Sequence, residues 1–294
     1  MDRRDFILNG ARLGAGLAVA QVFSTSPAMA QSPSNRAKES VMTTAQQSSD
    51  RKSRIFITGS SDGLGHAAAQ TLLASGHQVV VHVRSRARRP AVQVLVDQGA
   101  IATIGDLSDL EQTPDLARQV NTIGPMDAVI HNAGIMSGPQ VLTVNVVAPY
   151  LLTTLIQRPK RLIYLSSSMH TGGRPKLEGM DWSGRTASGS YSDSKLFVTA
   201  LAMAVARLWP EVFSNAVDPG WVPTKMGRAN APDDLRLGHL TQEWLATSND
   251  AQALTSGGYW HHQRRHEPHA AARDANFQNQ LLGELARVTQ TRLV

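Results

Sequence analysis

Tyr191 and Lys195 stand four residues apart in Tyr191-Ser192-Asp193-Ser194-Lys195. On a helix that spacing puts both side chains on one face. A free phenol titrates near ~10, too high for easy proton exchange at neutral pH, and a neighbouring ammonium favours the phenolate. The lysine should therefore lower the tyrosine pKa and make the pair a candidate general acid and base. Three consecutive serines, Ser166–Ser168, close an apolar run and offer hydroxyls that could hold a substrate oxygen. A third group is the turn Thr58-Gly59-Ser60-Ser61-Asp62-Gly63-Leu64-Gly65. Gly59 permits a tight turn, and Gly63 and Gly65 leave room for backbone to approach a pyrophosphate. The following helix start supplies free N–H groups and partial positive charge.

Such groups need a scaffold, and the apolar pattern supplies one. Short strands are predicted at 55–57, 78–83, 101–104, 127–131, 161–165 and 213–217, with an edge strand at 258–261. Helices are predicted after the glycine turn as far as Gly76, at 91–98, 144–156 and 191–209, the last stopped by Pro210. Near-continuous apolar strands alternating with helices imply a parallel sheet covered on both faces. The expected fold is α/β, a Rossmann-type doubly wound parallel sheet of about seven strands. Ligands then belong at the carboxyl ends of the strands.

Composition narrows the chemistry. The 294 residues contain no cysteine, which excludes a disulfide framework, thiolate metal sites and a cysteine nucleophile. Lys and Arg exceed Asp and Glu by 29 to 23, a mild basic balance that suits an anionic ligand. Aromatic content of 5% gives no hint of a nucleic-acid stacking platform, and no nucleic-acid partner is expected. His262 and His266 are spaced i, i+4, but Gly257, Gly258 and Pro268 favour strand and loop there, so no metal site is expected. Trp221, Trp244 and Trp260 could line a pocket or fill the core.

The motifs, taken in order, resemble the short-chain dehydrogenase/reductase family. Thr-Gly-x-x-x-Gly-x-Gly lies at 58–65, Asn132-Ala133-Gly134 follows the fourth strand, and Asn145 sits on the next helix. The serines follow the fifth strand, Tyr-x-x-x-Lys follows them, and Pro219-Gly220-Trp221-Val222-Pro223-Thr224 follows the sixth. Ser166-Ser167-Ser168-Met169-His170 and the long gap to Tyr191 resemble the retinol dehydrogenase and carbonyl reductase branch. The resemblance implies an NAD(P)-dependent oxidoreductase interconverting a carbonyl and an alcohol. Tyr191 would be the general acid and base, Ser167 (with Ser168 the competing register) the substrate-oxygen partner, Lys195 the holder of the nicotinamide ribose and Asn145 the positioner of a relay water.

Cofactor contacts are expected from Gly59, Ser61, Asp62, Gly63, Leu64, Gly65, Arg84, Asp106, Leu107, Asn132, Ala133, Gly134, Tyr191, Lys195, Pro219, Gly220, Val222 and Thr224. The second strand ends in Val83-Arg84-Ser85-Arg86 with no acid. An acid there would bind a ribose 2′-hydroxyl and an arginine accommodates a 2′-phosphate, so NADP is favoured over NAD. Arg88 and Arg89 read as a solvated basic loop. Residues Lys225–Thr247 fall at the family's variable substrate lid. The partner is a small carbonyl or alcohol, and family members often form homodimers or homotetramers. A non-catalytic NADP-binding sensor or scaffold is the alternative, with an extended-family epimerase or dehydratase behind it.

The start, Met1-Asp2-Arg3-Arg4-Asp5-Phe6-Ile7-Leu8, has the core of a twin-arginine export signal, followed by a modestly apolar stretch and Ala28-Met29-Ala30. The expected organisation is a signal over 1–30, a flexible Ser/Gln/Thr linker over 31–53 and one dinucleotide-binding domain over 54–294. That implies a periplasmic protein without a stable membrane anchor after cleavage, or a cytoplasmic one if the signal is unused.

Overall fold

The computed structural model describes residues 52–293. The export signal, its cleavage point after Ala30 and all of the linker except Lys52 and Ser53 lie outside the described residues. Ser53 already belongs to the fold, because its carbonyl accepts the Gln78 N–H at 3.0 Å.

The sheet is built from β1 (Arg54–Ile57), β2 (Gln78–Val83), β3 (Ile101–Ile104), β4 (Ala128–His131), β5 (Arg161–Leu165), β6 (Phe213–Asp218), β7 (Tyr259–His261) and β8 (Arg264–His266). Their spatial order is β3-β2-β1-β4-β5-β6-β7-β8. All neighbouring pairs are parallel except β7 with β8. The eighth strand was not expected. It returns through His262 and Gln263, whose φ angles of 47° and 60° match a two-residue hairpin turn. Neither residue is glycine or asparagine, so the turn has no sequence signature. His262 thus lies in the hairpin turn and His266 on β8, so the two are not on one helix face; the His261 ring lies 3.8 Å from that of His262 and 5.9 Å from that of His266.

Strand side chains alternate between two cores. Phe56, Val80, Val129 and Leu162 face α3 (Gln112–Ile123), α4 (Ala148–Leu155), α5 (Tyr191–Leu208) and α8 (Ala275–Thr289). Ile55, Ile57, Val81 and Ile163 face α1 (Gly63–Ala74), α2 (Gln93–Asp97) and α6 (Leu235–Thr247). The short helix α7 (Ala270–Arg273) precedes α8. Trp260 is buried and meets Trp244 edge-on at 5.2 Å, so both belong to the core, whereas Trp221 is 55% exposed. Helix α6 has a buried inner face that packs on α1 and the sheet. The stretch expected to form the lid is thus loop over 225–234 and packed helix over Leu235–Thr247. Among the described residues, no helix is long and apolar enough to cross a membrane.

Candidate active site

A cleft of about 690 Å³ opens at the carboxyl ends of β1, β2, β4 and β5. Gly59, Ser61, Asp62, Gly63, Leu64, Arg84, Asp106, Leu107, Asn132, Ala133, Gly134, Tyr191, Lys195, Pro219 and Thr224 line it. Gly65, Asn145, Ser167, Gly220 and Val222 do not line it: Gly65 backs onto Asn132, Val222 is buried, and Gly220 holds a φ of 81°. Arg88 lines the cleft beside Arg84, so it is not merely part of a solvated loop. The 3₁₀ turn over Arg86–Val92 curls it back over the strand ends, which its place in a basic run did not reveal.

The glycine turn is fixed from behind. Gly59 has a φ of 68°, and a Cβ there would come within 2.9 Å of the Ala133 backbone. Asn132 donates its side-chain amide to the Thr58 and Gly59 carbonyls at 2.9 and 3.3 Å. The Ala133 N–H donates to the Thr58 hydroxyl at 3.0 Å. Asp62 caps α1 by accepting the Gly63 N–H at 2.8 Å, and it also pairs with Lys225 from the loop after β6. The Asn-Ala-Gly and glycine motifs are thus one hydrogen-bonded unit.

The reaction end starts at the capping box of α5. Ser190 accepts the Asp193 N–H at 3.1 Å, and the Asp193 carboxylate accepts the Ser190 N–H at 3.0 Å. Burial alone would raise the Asp193 pKa. Hydrogen bonds from Arg174 and Ser190 outweigh it and hold the carboxyl at about 2. This anchored start makes Tyr191 the first helical residue and puts Lys195 one turn on, with its ammonium 5.4 Å from the phenol ring centre. Lys195 donates to the Leu165 carbonyl at 2.7 Å, and burial lowers its pKa to about 8.

Ser167 is the serine that meets Tyr191. Its hydroxyl faces the phenol and draws the phenol pKa down, whereas Ser168 is exposed and Ser166 bonds Thr199 at 2.6 Å. The strand end places the three serines differently: Ser166 turns into the core, and Ser167 caps the 3₁₀ turn over Ser168–Gly172. The expected lowering of the Tyr191 pKa is not found. Burial pushes it up to about 12, with Ser167 opposing and the Asp218 carboxylate adding to the rise. The Lys195 ammonium is directed at Leu165, and desolvation of the phenol dominates.

Asn145 reaches the site through a π-turn over Thr143–Val147, the kind of helix irregularity that recurs at functional sites. Its side chain exchanges two hydrogen bonds with the Ile135 backbone, both at 2.9 Å, and donates to Ser194 at 3.0 Å. The amide therefore ties the loop after β4 to α5.

Two groups were not assigned roles from the sequence. Asp218, at the end of β6, is buried; it accepts the Gly220 N–H at 3.0 Å and lies 3.8 Å from the His261 imidazole. His170 is buried between the Ser167 carbonyl at 2.8 Å and the His269 N–H at 3.0 Å, with its ring 4.5 Å from that of Tyr259. His170 thereby fixes the backbone of the serine turn. The Ser-Ser-x-x-His spacing was the available signal for it, while Asp218 had none beyond preceding Pro-Gly.

Residues 53–158 match the short chain dehydrogenase family model. An uncharacterized oxidoreductase of Emericella nidulans is 39% identical, covering 78% of this chain and 94% of its own length. A short-chain dehydrogenase of Gibberella zeae, chry4, is 34% identical, covering 82% and 98%. The chain belongs to the short-chain dehydrogenase family. This short-chain dehydrogenase also shares its fold with the RhlG/NADP active-site complex of Pseudomonas aeruginosa, at a TM-score of 0.59 and 22% identity over 72% of this chain and 95% of that one. As the family members it matches at full length are named, it is an oxidoreductase.

Proposed function

We propose that this short-chain dehydrogenase uses NADP to interconvert a carbonyl and an alcohol, with Tyr191 exchanging the proton. The observation that carries the reading is that Tyr191 and Lys195 line a cleft that Arg84 and Arg88 also line, with the Ser167 hydroxyl set against the Tyr191 phenol. The cleft fits a dinucleotide. Its glycine turn leaves no room for a Cβ, and no acid closes the end of β2 against a 2′-phosphate. The RhlG structure of like fold holds NADP.

When bound, the nicotinamide supplies the hydride. Ser167 orients the substrate oxygen beside the phenol, and Tyr191 delivers its proton there in reduction or takes it back in oxidation. Burial keeps Tyr191 protonated at neutral pH, which suits a proton donor. Met136, Met169, Trp221 and Met226 are exposed on the loops that follow β4, β5 and β6. Ile135 and Met226 line the cleft, and the Met169 N–H bonds Ser167. These side chains favour an apolar substrate body.

The test is a panel of apolar aryl ketones, short polar ketones and the matching alcohols, read by nicotinamide absorbance with both cofactors. Turnover is expected with NADPH and an apolar ketone. No turnover of any carbonyl or alcohol refutes the reading, and equal affinity for NAD refutes the cofactor choice. The Arg3-Arg4 segment supports export of the folded protein, and activity confined to the cytoplasm on cell fractionation would refute it.

A further inference from the structure

His82 is a titratable side chain within the apolar run Val79–Val83 of β2, and it is buried. It lies on β2, between β1 and β3, and its ring forms part of the cleft wall. Both ring nitrogens are engaged. Nδ1 accepts the Gly59 N–H at 3.0 Å, and Nε2 lies 2.7 Å from the Gly105 carbonyl, to which it must donate. The two bonds together fix one neutral tautomer. The backbone of the same residue is also committed. His82 N–H donates to the Ser60 hydroxyl at 3.2 Å, and its carbonyl accepts the Ser60 N–H at 3.2 Å.

Gly59 is the residue whose left-handed backbone makes the glycine turn possible. Its N–H is part-buried, and such a donor is costly to leave without a partner. On the other side, Gly105 precedes Asp106 and Leu107, which line the cleft. One imidazole therefore spans the two turns that frame the nucleotide end.

We propose that His82 is a positioning residue that sets the glycine turn in its nucleotide-accepting shape before any nucleotide arrives, acting through the Gly59 N–H. The inference rests on the cleft being a nucleotide site, and it goes beyond that reading by assigning the pre-organisation to one side chain. Ordering the turn in advance removes that cost from binding. Burial lowers the His82 pKa to about 4, so the acceptor nitrogen stays unprotonated across the neutral range.

Two isosteric replacements separate the two bonds. His82→Asn places an amide oxygen near the Nδ1 position and keeps an acceptor for Gly59 while losing Gly105. His82→Gln reaches the Nε2 position and keeps the donor to Gly105 while losing Gly59. His82→Phe keeps the ring and loses both. NADPH affinity is measured by fluorescence titration, beside the melting temperature and kcat at saturating NADPH. His82→Asn should bind within about threefold of wild type. His82→Gln and His82→Phe should bind at least about tenfold more weakly, with kcat of His82→Gln within about threefold. A merely structural role would instead lower the melting temperatures without dividing Asn from Gln.

Equal affinity in all three variants, equal losses in Asn and Gln, or retained affinity in Gln alone would each overturn the assignment. Should the variants not fold, amide exchange in nucleotide-free wild type decides it. The Gly59 N–H should be protected, and fast exchange overturns the proposal. Failure of wild type to bind NADPH or NADH would sink the cofactor reading, while the exchange measurement would still judge the His82–Gly59 bond.

Discussion

At the ends of β1, β2 and β3, polar atoms are cross-linked before any ligand arrives: Asn132 to Thr58 and Gly59, His82 to Gly59 and Gly105, Ser60 to Ile57 and His82. The loops after β4, β5 and β6 are built otherwise. They expose Met136, Met169, Trp221 and Met226 on their outer parts, where Trp221 is held by a short-range bond to Gly227 at 2.8 Å. At their base, Tyr191, Ser167 and Lys195 are held from deep in the fold, with His170 and Asn145 anchoring the backbone beside them. The first region is shaped for one ligand. The second has fixed chemistry at the bottom and an adaptable apolar rim above it. A fixed cofactor and a variable substrate require that division of labour.

Substitutions can break or sharpen the contrast. The largest effect is expected from Tyr191→Phe, which removes the proton donor and keeps the ring. Turnover should fall by ~10²–10⁴, while NADPH affinity stays within about threefold. Stopped-flow or steady-state rates beside a binding titration check both. Gly59→Ala should act on the other region. Its Cβ would press on the Ala133 backbone and its φ of 68° disfavours a side chain, so a cost of ~1–3 kcal/mol is expected in stability, with nucleotide binding weakened in step. Thermal unfolding with and without NADPH reads it.

Arg84→Ala should weaken NADPH about tenfold and leave NADH within about twofold, since charge-assisted hydrogen bonds contribute ~1.5–3 kcal/mol. If both cofactors weaken alike, Arg84 does not read the 2′-phosphate. Asp218→Asn tests the electrostatics under the rim. Burial raises the Tyr191 pKa, and the Asp218 carboxylate adds to the rise. Alcohol oxidation needs the phenolate, so its rate should climb with pH far into the alkaline range. Removing the Asp218 charge stabilises the phenolate, and the rising limb should move to lower pH. A limb that stays in place or moves to higher pH would contradict this. The smallest effect belongs to Met169→Ala, a two- to threefold rise in KM for aryl ketones with short ketones unchanged.

The strands from β1 to β5 were readable because each carries a compact apolar run with β-branched residues, and the glycine turn and Asn-Ala-Gly fell where β1 and β4 ended. β6 and β7, with one β-branched residue between them, were read from their aromatic residues and flanking turns. What escaped had no local pattern. β8 pairs through a turn of His262 and Gln263, side chains that rarely take positive φ. Arg88 looked solvated because its path depends on the 3₁₀ turn. The rise in the Tyr191 pKa depends on burial and on Asp218, which is 27 positions away, so spacing to Lys195 alone pointed the wrong way. His82 read as one member of a strand, since its partners are brought to it by three separate chain segments.

The hydrogen bond from the His269 backbone to His170 ties the last helices to the serine turn, and a second from Tyr150 to the Thr291 carbonyl at 2.9 Å fastens their far end. Trimming the chain ahead of His269 would strip the imidazole of its donor. It would also remove Phe277, Leu281 and Leu285 from the core, so the injury would reach the Ser167 turn and the packing of α5 together.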